Sequence, residues 1–182
     1  LMGASAAQLG KLDEAVLAFK KALSIKPDDA QAYYNLGNVI KNQGKLEEAL
    51  EAYNNAISIK PDYVEAYLNM GNVFKDQQKL EEAIDAYNEA LSIKPDYADA
   101  YVNMGNILID QEKLEEALEA YNKALSTDPD NAEAYLNMGN ALKDQEKLEE
   151  ALDAYNSAIS IKPDYADAHH YISYIKKYSL ED

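Results

Sequence analysis

The sequence predicts an all-α fold, a solenoid of antiparallel helix pairs, and three observations carry that prediction. The five prolines, Pro27, Pro61, Pro95, Pro129 and Pro163, follow one another at intervals of 34 residues. Five of the seven glycines, Gly3, Gly37, Gly71, Gly105 and Gly139, keep the same interval. Residues 67–100 and 135–168 are identical at 28 of 34 positions, and the six exchanges are mostly conservative. A fixed period of this size marks stacked repeats, so domains are counted from the repeat and not from chain length.

Each unit contains two helical patterns. Ala66, Tyr67, Met70, Gly71, Val73 and Phe74 recur at helical spacing, and Leu80, Ala83, Ile84, Tyr87, Ala90 and Leu91 do so again. Between them lies KDQQK, or KNQGK in the preceding copy, where Gly44 suits a left-handed residue that ends a helix. Gln78, Glu112 and Glu146 replace that glycine, at a cost of about 1 kcal/mol each if the backbone is unchanged. The second helix closes at SIKP, because proline cannot continue the hydrogen-bond ladder and restricts the residue before it. Asp62 precedes Glu65 by three residues, and Asp130 precedes Glu133, which predicts a capping box at the start of the next first helix. The glycines within the first helices cost roughly 1 kcal/mol each in propensity. Gly71 shares a face with Tyr67 and Phe74, so its expected role is to let the paired helix approach.

These residues resemble the tetratricopeptide repeat (TPR) family, whose pattern sets an aromatic before a Leu-Gly pair, then an aromatic, an alanine, another aromatic and a proline. Residues 30–63 match as Tyr33, Leu36, Gly37, Ile40, Ala49, Tyr53 and Pro61, and the three following copies match in register. Tyrosine stands where the family often has tryptophan, and aliphatics often fill the second aromatic slot. The resemblance implies a right-handed α-α superhelix. The expected organisation is one solenoid over 1–182: a partial repeat at 1–29, full repeats at 30–63, 64–97, 98–131 and 132–165, and a capping helix in 166–182. Residues 1–29 carry Gly3, Ala15, Phe19, Ala22 and Pro27, so the chain is expected to open inside a first repeat that lacks its initial turn. The capping helix puts His169, Tyr171 and Ser173 where full repeats have Tyr, Asn and Gly. Solenoid ends need such a more polar face.

Two asparagines per repeat ask for a separate explanation, since they are mediocre helix formers. Asn35, Asn69, Asn103 and Asn137 form one row and Asn38, Asn72, Asn106 and Asn140 another, on the face pointing away from Tyr67, Met70 and Phe74. An amide carries donors and an acceptor, which suits the alternating N–H and C=O groups of an extended peptide. In the resembled family this face lines the concave groove, and arrays of the O-linked N-acetylglucosamine transferase type look similar, with an asparagine ladder that holds peptide backbone. Hydrogen bonding between neighbouring repeats is the competing role. Repeats that clamp the carboxyl-terminal tails of chaperones use flanking Lys or Arg; here Leu68, Val102, Leu136, Glu65, Asp99 and Glu133 stand in those places, so that clamp is not expected. The acidic residues, with Asp76, Asp110 and Asp144, favour a neutral or basic ligand over apolar pockets near Leu68, Val102 and Leu136, or else are a solvated acidic surface.

Composition narrows the class of partner. Thirty-three acidic against 17 basic residues give a net charge of −16, which repels phosphate backbones, so no nucleic acid is expected. No apolar run approaches the roughly 18 residues a bilayer-spanning helix needs, and no membrane partner is expected. No signal-peptide start is seen, cysteine is absent, and a cytoplasmic setting is expected over a secreted one. The two histidines, His169 and His170, are adjacent and project about 100° apart on a helix, which does not suit joint metal binding. No phosphate loop, catalytic triad or Cys-His pair is recognisable, so no cofactor and no catalytic activity are expected. The expected function is a protein–protein interaction scaffold that holds an extended peptide. The alternatives are the substrate-recruiting part of a larger transferase and a self-assembly module.

Overall fold

The computed structural model describes residues 6–178, with side chains over 10–177. Gly3 and the other residues of the expected first repeat before Ala6 lie outside the described residues. Among the described residues there are ten helices and no strand: α1 (Ala6–Ile25), α2 (Ala30–Asn42), α3 (Leu46–Ile59), α4 (Val64–Asp76), α5 (Leu80–Ile93), α6 (Ala98–Asp110), α7 (Leu114–Thr127), α8 (Ala132–Asp144), α9 (Leu148–Ile161) and α10 (Ala166–Tyr178). The fold class is all-α. The helices fall into two compact units, Leu1–Pro95 with α1–α5 and Asp96–Asp182 with α6–α10, and the division coincides with one of the periodic prolines.

In the first unit α2 pairs with α3 and α4 with α5. Leu23, Leu36, Ile40, Ala49, Ala52, Tyr53 and Val73 form its main core, and Ala56, Tyr63 and Ala66 a smaller one. In the second unit α6 pairs with α7 and α8 with α9, and α10 packs on α9. Its largest core joins Leu136, Leu142, Ala151, Tyr155, Ala168, Ile172 and Ile175. The second helix of each full pair turns a face of alanines and one tyrosine inward, as Ala49, Tyr53 and Ala56 do on α3. Small side chains let the helix axes approach, and the tyrosine then supplies most of the buried apolar area.

The turns follow the sequence. Gly44 has φ 77°, and Gln78, Glu112 and Glu146 keep that left-handed backbone at 62°, 60° and 62° despite carrying a Cβ. The N-caps correct one expectation. The capping residue is one position later than Asp62 and Asp130, at Tyr63 for α4 and Asn131 for α8, which leaves Glu65 and Glu133 in the wrong register for a capping box. Asn131 Oδ1 accepts from the Ala134 N–H at 2.9 Å, and Asp29 Oδ1 does the same for Ala32 at 3.0 Å. Tyr63, whose side chain carries no acceptor within reach of the first-turn N–H groups, makes no capping bond, and its ring is buried in the core against Tyr34. Packing therefore overrides capping at that helix. Helix α1 runs through Gly10, 34 residues before Gly44, without turning.

Candidate functional site

The repeated Gly-Asn pair of the first helix is a seat for one tyrosine of the second. A Cβ added to Gly71 would overlap Tyr87 Cε1, and at Gly37, Gly105 and Gly139 the corresponding tyrosines Tyr53, Tyr121 and Tyr155 approach within 2.5–2.6 Å. The ring thus occupies the space of the missing side chain. The next residue takes the hydroxyl: Tyr53, Tyr87, Tyr121 and Tyr155 donate to Oδ1 of Asn38, Asn72, Asn106 and Asn140, each at 2.8 Å. Burial raises the pKa of all four hydroxyls, with a lesser push from neighbours such as Asp76 at Tyr87 and Asp110 at Tyr121. The sequence carried a signal for this pairing, since tyrosine follows asparagine by 15 positions in each full repeat. Where the first repeat has Phe19, which lacks a hydroxyl, the residue 15 positions earlier is Ala4, which lacks an acceptor.

The other row of amides reaches the neighbouring repeat. Asn69 Nδ2 donates to Asn38 Oδ1 at 2.9 Å and to the Tyr34 hydroxyl oxygen at 3.2 Å. In the second unit Asn137 Nδ2 donates to Asn106 Oδ1 at 2.9 Å. Asn35 accepts from Gln31 Nε2 at 3.2 Å, and Asn103 sits half-buried at the equivalent place on α6. In each unit, one amide oxygen therefore receives both a tyrosine hydroxyl from its own repeat and an asparagine N–H from the next. All eight asparagines remain partly accessible on the first helices.

Their expected neighbours divide into two groups. Glu65, Asp99 and Glu133 are exposed beside the rows, as are Asp76, Asp110 and Asp144. Leu68, Val102 and Leu136, expected to border apolar pockets, are instead core residues with 9%, 5% and 7% exposure. Val102 packs with Ala124 and Ala134, and Leu136 with the core that includes Ala168 and Ile172. Ala134 of α8 packs over Val102 and α10 packs over Leu136, and at their low exposure no ligand side chain docks on any of the three. At the same register Tyr34 packs on Tyr63 with ring centroids 5.0 Å apart. On α10 the asparagine positions become Tyr171 and Tyr174, and Tyr171 stacks on Tyr155 at 5.3 Å. The amide row thus stops at an aromatic stack, beside exposed His169, His170 and Ser173.

Among the described residues no group of three or more His, Asp or Glu side chains is placed to hold a metal ion, and no helix is long and apolar enough to cross a membrane.

The family model described as TPR repeat matches residues 3–44, 38–78, 71–111 and 105–145, and the one described as Tetratricopeptide repeat matches 132–165. No curated protein matches the chain. Among solved structures, a crystal structure of MamA is similar with a TM-score of 0.76 and 27% identity, over 86% of this chain and 92% of that one. A second, of MamA protein, has a TM-score of 0.72 and 26% identity over 94% and 88%. A third, MamA 41-end from Desulfovibrio magneticus RS-1, has a TM-score of 0.73 over 88% and 90%, and at 19% identity it speaks for the fold alone. Tetratricopeptide repeats along the chain and the likeness to MamA support a protein–protein interaction or assembly role. The chain belongs to the tetratricopeptide repeat family.

Proposed function

We propose that the asparagine face of each unit binds the backbone of an extended polypeptide, neutral or basic in character, and that the chain acts through this binding and not through catalysis. The observation that carries the reading is the fixed orientation of the amides. Because Asn38 Oδ1 is occupied by Tyr53 and Asn69, the N–H end of that amide is the end left to meet a ligand, as a donor. Asn69 has used its N–H end, so its oxygen is the end left to accept. Adjacent repeats then present one donor and one acceptor, the complement of a peptide C=O and N–H. Preorganised amides lose little side-chain entropy on binding. Exposed Glu65, Asp76, Asp99, Asp110, Glu133 and Asp144 favour cationic residues in the partner and disfavour acidic ones.

The test is a random peptide library panned against the wild type and against Asn69→Ala/Asn137→Ala. The wild type is expected to enrich peptides with weak side-chain consensus and a cationic bias, and the variant, compared at a temperature where circular dichroism shows both proteins folded, to bind them about tenfold or more weakly, from lost hydrogen bonds of about 1 kcal/mol each. Equal binding by both proteins would remove the asparagine face as the site.

One observation favours self-association as a second reading. Leu17 is 68% exposed and Ile25 79% exposed on α1, and Leu17 stands where the other repeats have Glu51, Asp85, Glu119 and Asp153. Light scattering over a dilution series tests it, with a strictly monomeric particle at the highest concentration as the refuting result.

A further inference from the structure

The first unit holds two cavities that are one cavity repeated. One, of about 400 Å³, has Tyr33, Leu36 and Ile40 of α2 as its floor and Glu48, Glu51 and Lys20 on its rim. The other, of about 280 Å³, has Tyr67, Met70 and Phe74 of α4 as its floor and Glu82, Asp85 and Glu89 of α5 on its rim. Every floor residue of the second lies 34 positions after one of the first, as do Glu82 and Asp85 after Glu48 and Glu51. At 100° per residue, Tyr33, Leu36 and Ile40 project from the opposite side of α2 to Asn35 and Asn38. The cavities thus belong to a different surface from the asparagine rows, and the proposed function does not use them.

Their chemistry is specific in one respect. The floors are aromatic and aliphatic, with Tyr67, Met70 and Phe74 only half-buried. The rims are carboxylates on the first turns and outer face of the second helices, and the rim of the second cavity holds no cation. An apolar side chain fits the floor, while a lysine or arginine lays its methylene stem along the same surface and brings its charge to the rim. An acidic partner would meet the carboxylates and the net charge of −16.

We infer that the second-helix side of the first unit is a binding surface for a basic polypeptide segment that mixes apolar residues with lysine or arginine, seating one anchor in each of the two repeat-spaced cavities. The probes are a fluorescein-labelled Lys/Leu peptide and its Lys/Ser and Glu/Leu counterparts, titrated into the full chain at physiological salt with anisotropy as the readout. The Lys/Leu peptide is expected to bind at least tenfold more tightly than either counterpart. Asp85→Arg/Glu89→Arg, at exposed positions, is expected to weaken it tenfold or more with urea unfolding unchanged. The charge-matched Asp62→Arg/Asp96→Arg, in the turns, should have less than a twofold effect. Equal binding of Lys/Ser would show the floor unused, and equal losses in both variants would reduce the effect to net charge; either result overturns the inference. A loss produced by Glu65→Arg/Asp76→Arg and not by the rim variant would place the peptide on the asparagine face and overturn it as well, leaving the proposed function standing. Library peptides bound equally by the wild type and the asparagine variant, with rim-dependent Lys/Leu binding intact, would do the reverse.

Discussion

Gly71→Ala is the substitution in which local propensity and tertiary packing make opposite demands. In an exposed helix it would stabilise by about 1 kcal/mol. Here the new methyl would overlap Tyr87 Cε1 and stand 2.6 Å from Cδ1, well inside contact distance. The ring has no free path of retreat, being fully buried and tied through its hydroxyl to Asn72 at 2.8 Å. Overpacking of this kind costs about 1–3 kcal/mol, and displacing the ring loses a hydrogen bond of about 1 kcal/mol. Set against the propensity gain, the expected net effect is a destabilisation of about 2 kcal/mol. The assay is urea unfolding followed by circular dichroism at 222 nm, with the midpoint and the slope both compared. The decisive control is the same change in a Tyr87→Ala background, where the space is open. There Gly71→Ala should stabilise, by up to about 1 kcal/mol, so the sign of its effect reverses. Equal effects in both backgrounds would refute the reasoning, and so would stabilisation of the wild type.

Asn72→Ala leaves the Tyr87 hydroxyl buried without its acceptor and should cost about 1–3 kcal/mol, while adding Tyr87→Phe should recover part of that loss in the same unfolding assay. Gln78→Gly, Glu112→Gly and Glu146→Gly should each stabilise by up to about 1 kcal/mol, read as a rise in urea midpoint, because each relieves a left-handed residue with a Cβ. The raised tyrosine pKa values set a pH dependence with a definite sign. The folded hydroxyls keep their protons at pH values where the unfolded chain loses them, so stability is untouched below the unfolded value of about 10 and falls as pH rises beyond it. Unfolding midpoints at pH 9 and pH 11 check this, and replacing the four tyrosines by phenylalanine should flatten the difference.

What the sequence made legible was whatever a single helix or turn encodes. The 34-residue ruler and the prolines located the helix pairs, and Gly44 disclosed the left-handed position that Gln78, Glu112 and Glu146 also occupy. The glycine at 71 was legible as a packing position because its propensity cost demanded a tertiary return. The burial of Leu68, Val102 and Leu136 was not, since the periodicity of one helix shows which side chains share a face but not which part of that face other elements cover. The helix start moved from Asp62 to Tyr63 for the same reason: core packing of the tyrosine outweighs a capping bond. The bond between Tyr53 and Asn38 joins different helices, so only the constant offset and the Phe19–Ala4 exception hinted at it.

Recognition of peptide backbone by amides that buried tyrosines orient is open to direct measurement. The most direct measurement is an ester scan of a library-selected peptide, in which each backbone N–H is removed in turn and affinity is read by calorimetry. Losses of about tenfold, roughly 1.4 kcal/mol, are expected at regularly spaced backbone positions and absent in Asn69→Ala/Asn137→Ala, with alanine substitution of the peptide side chains mattering less. An affinity that ignores every ester and follows the side chains alone would contradict such recognition.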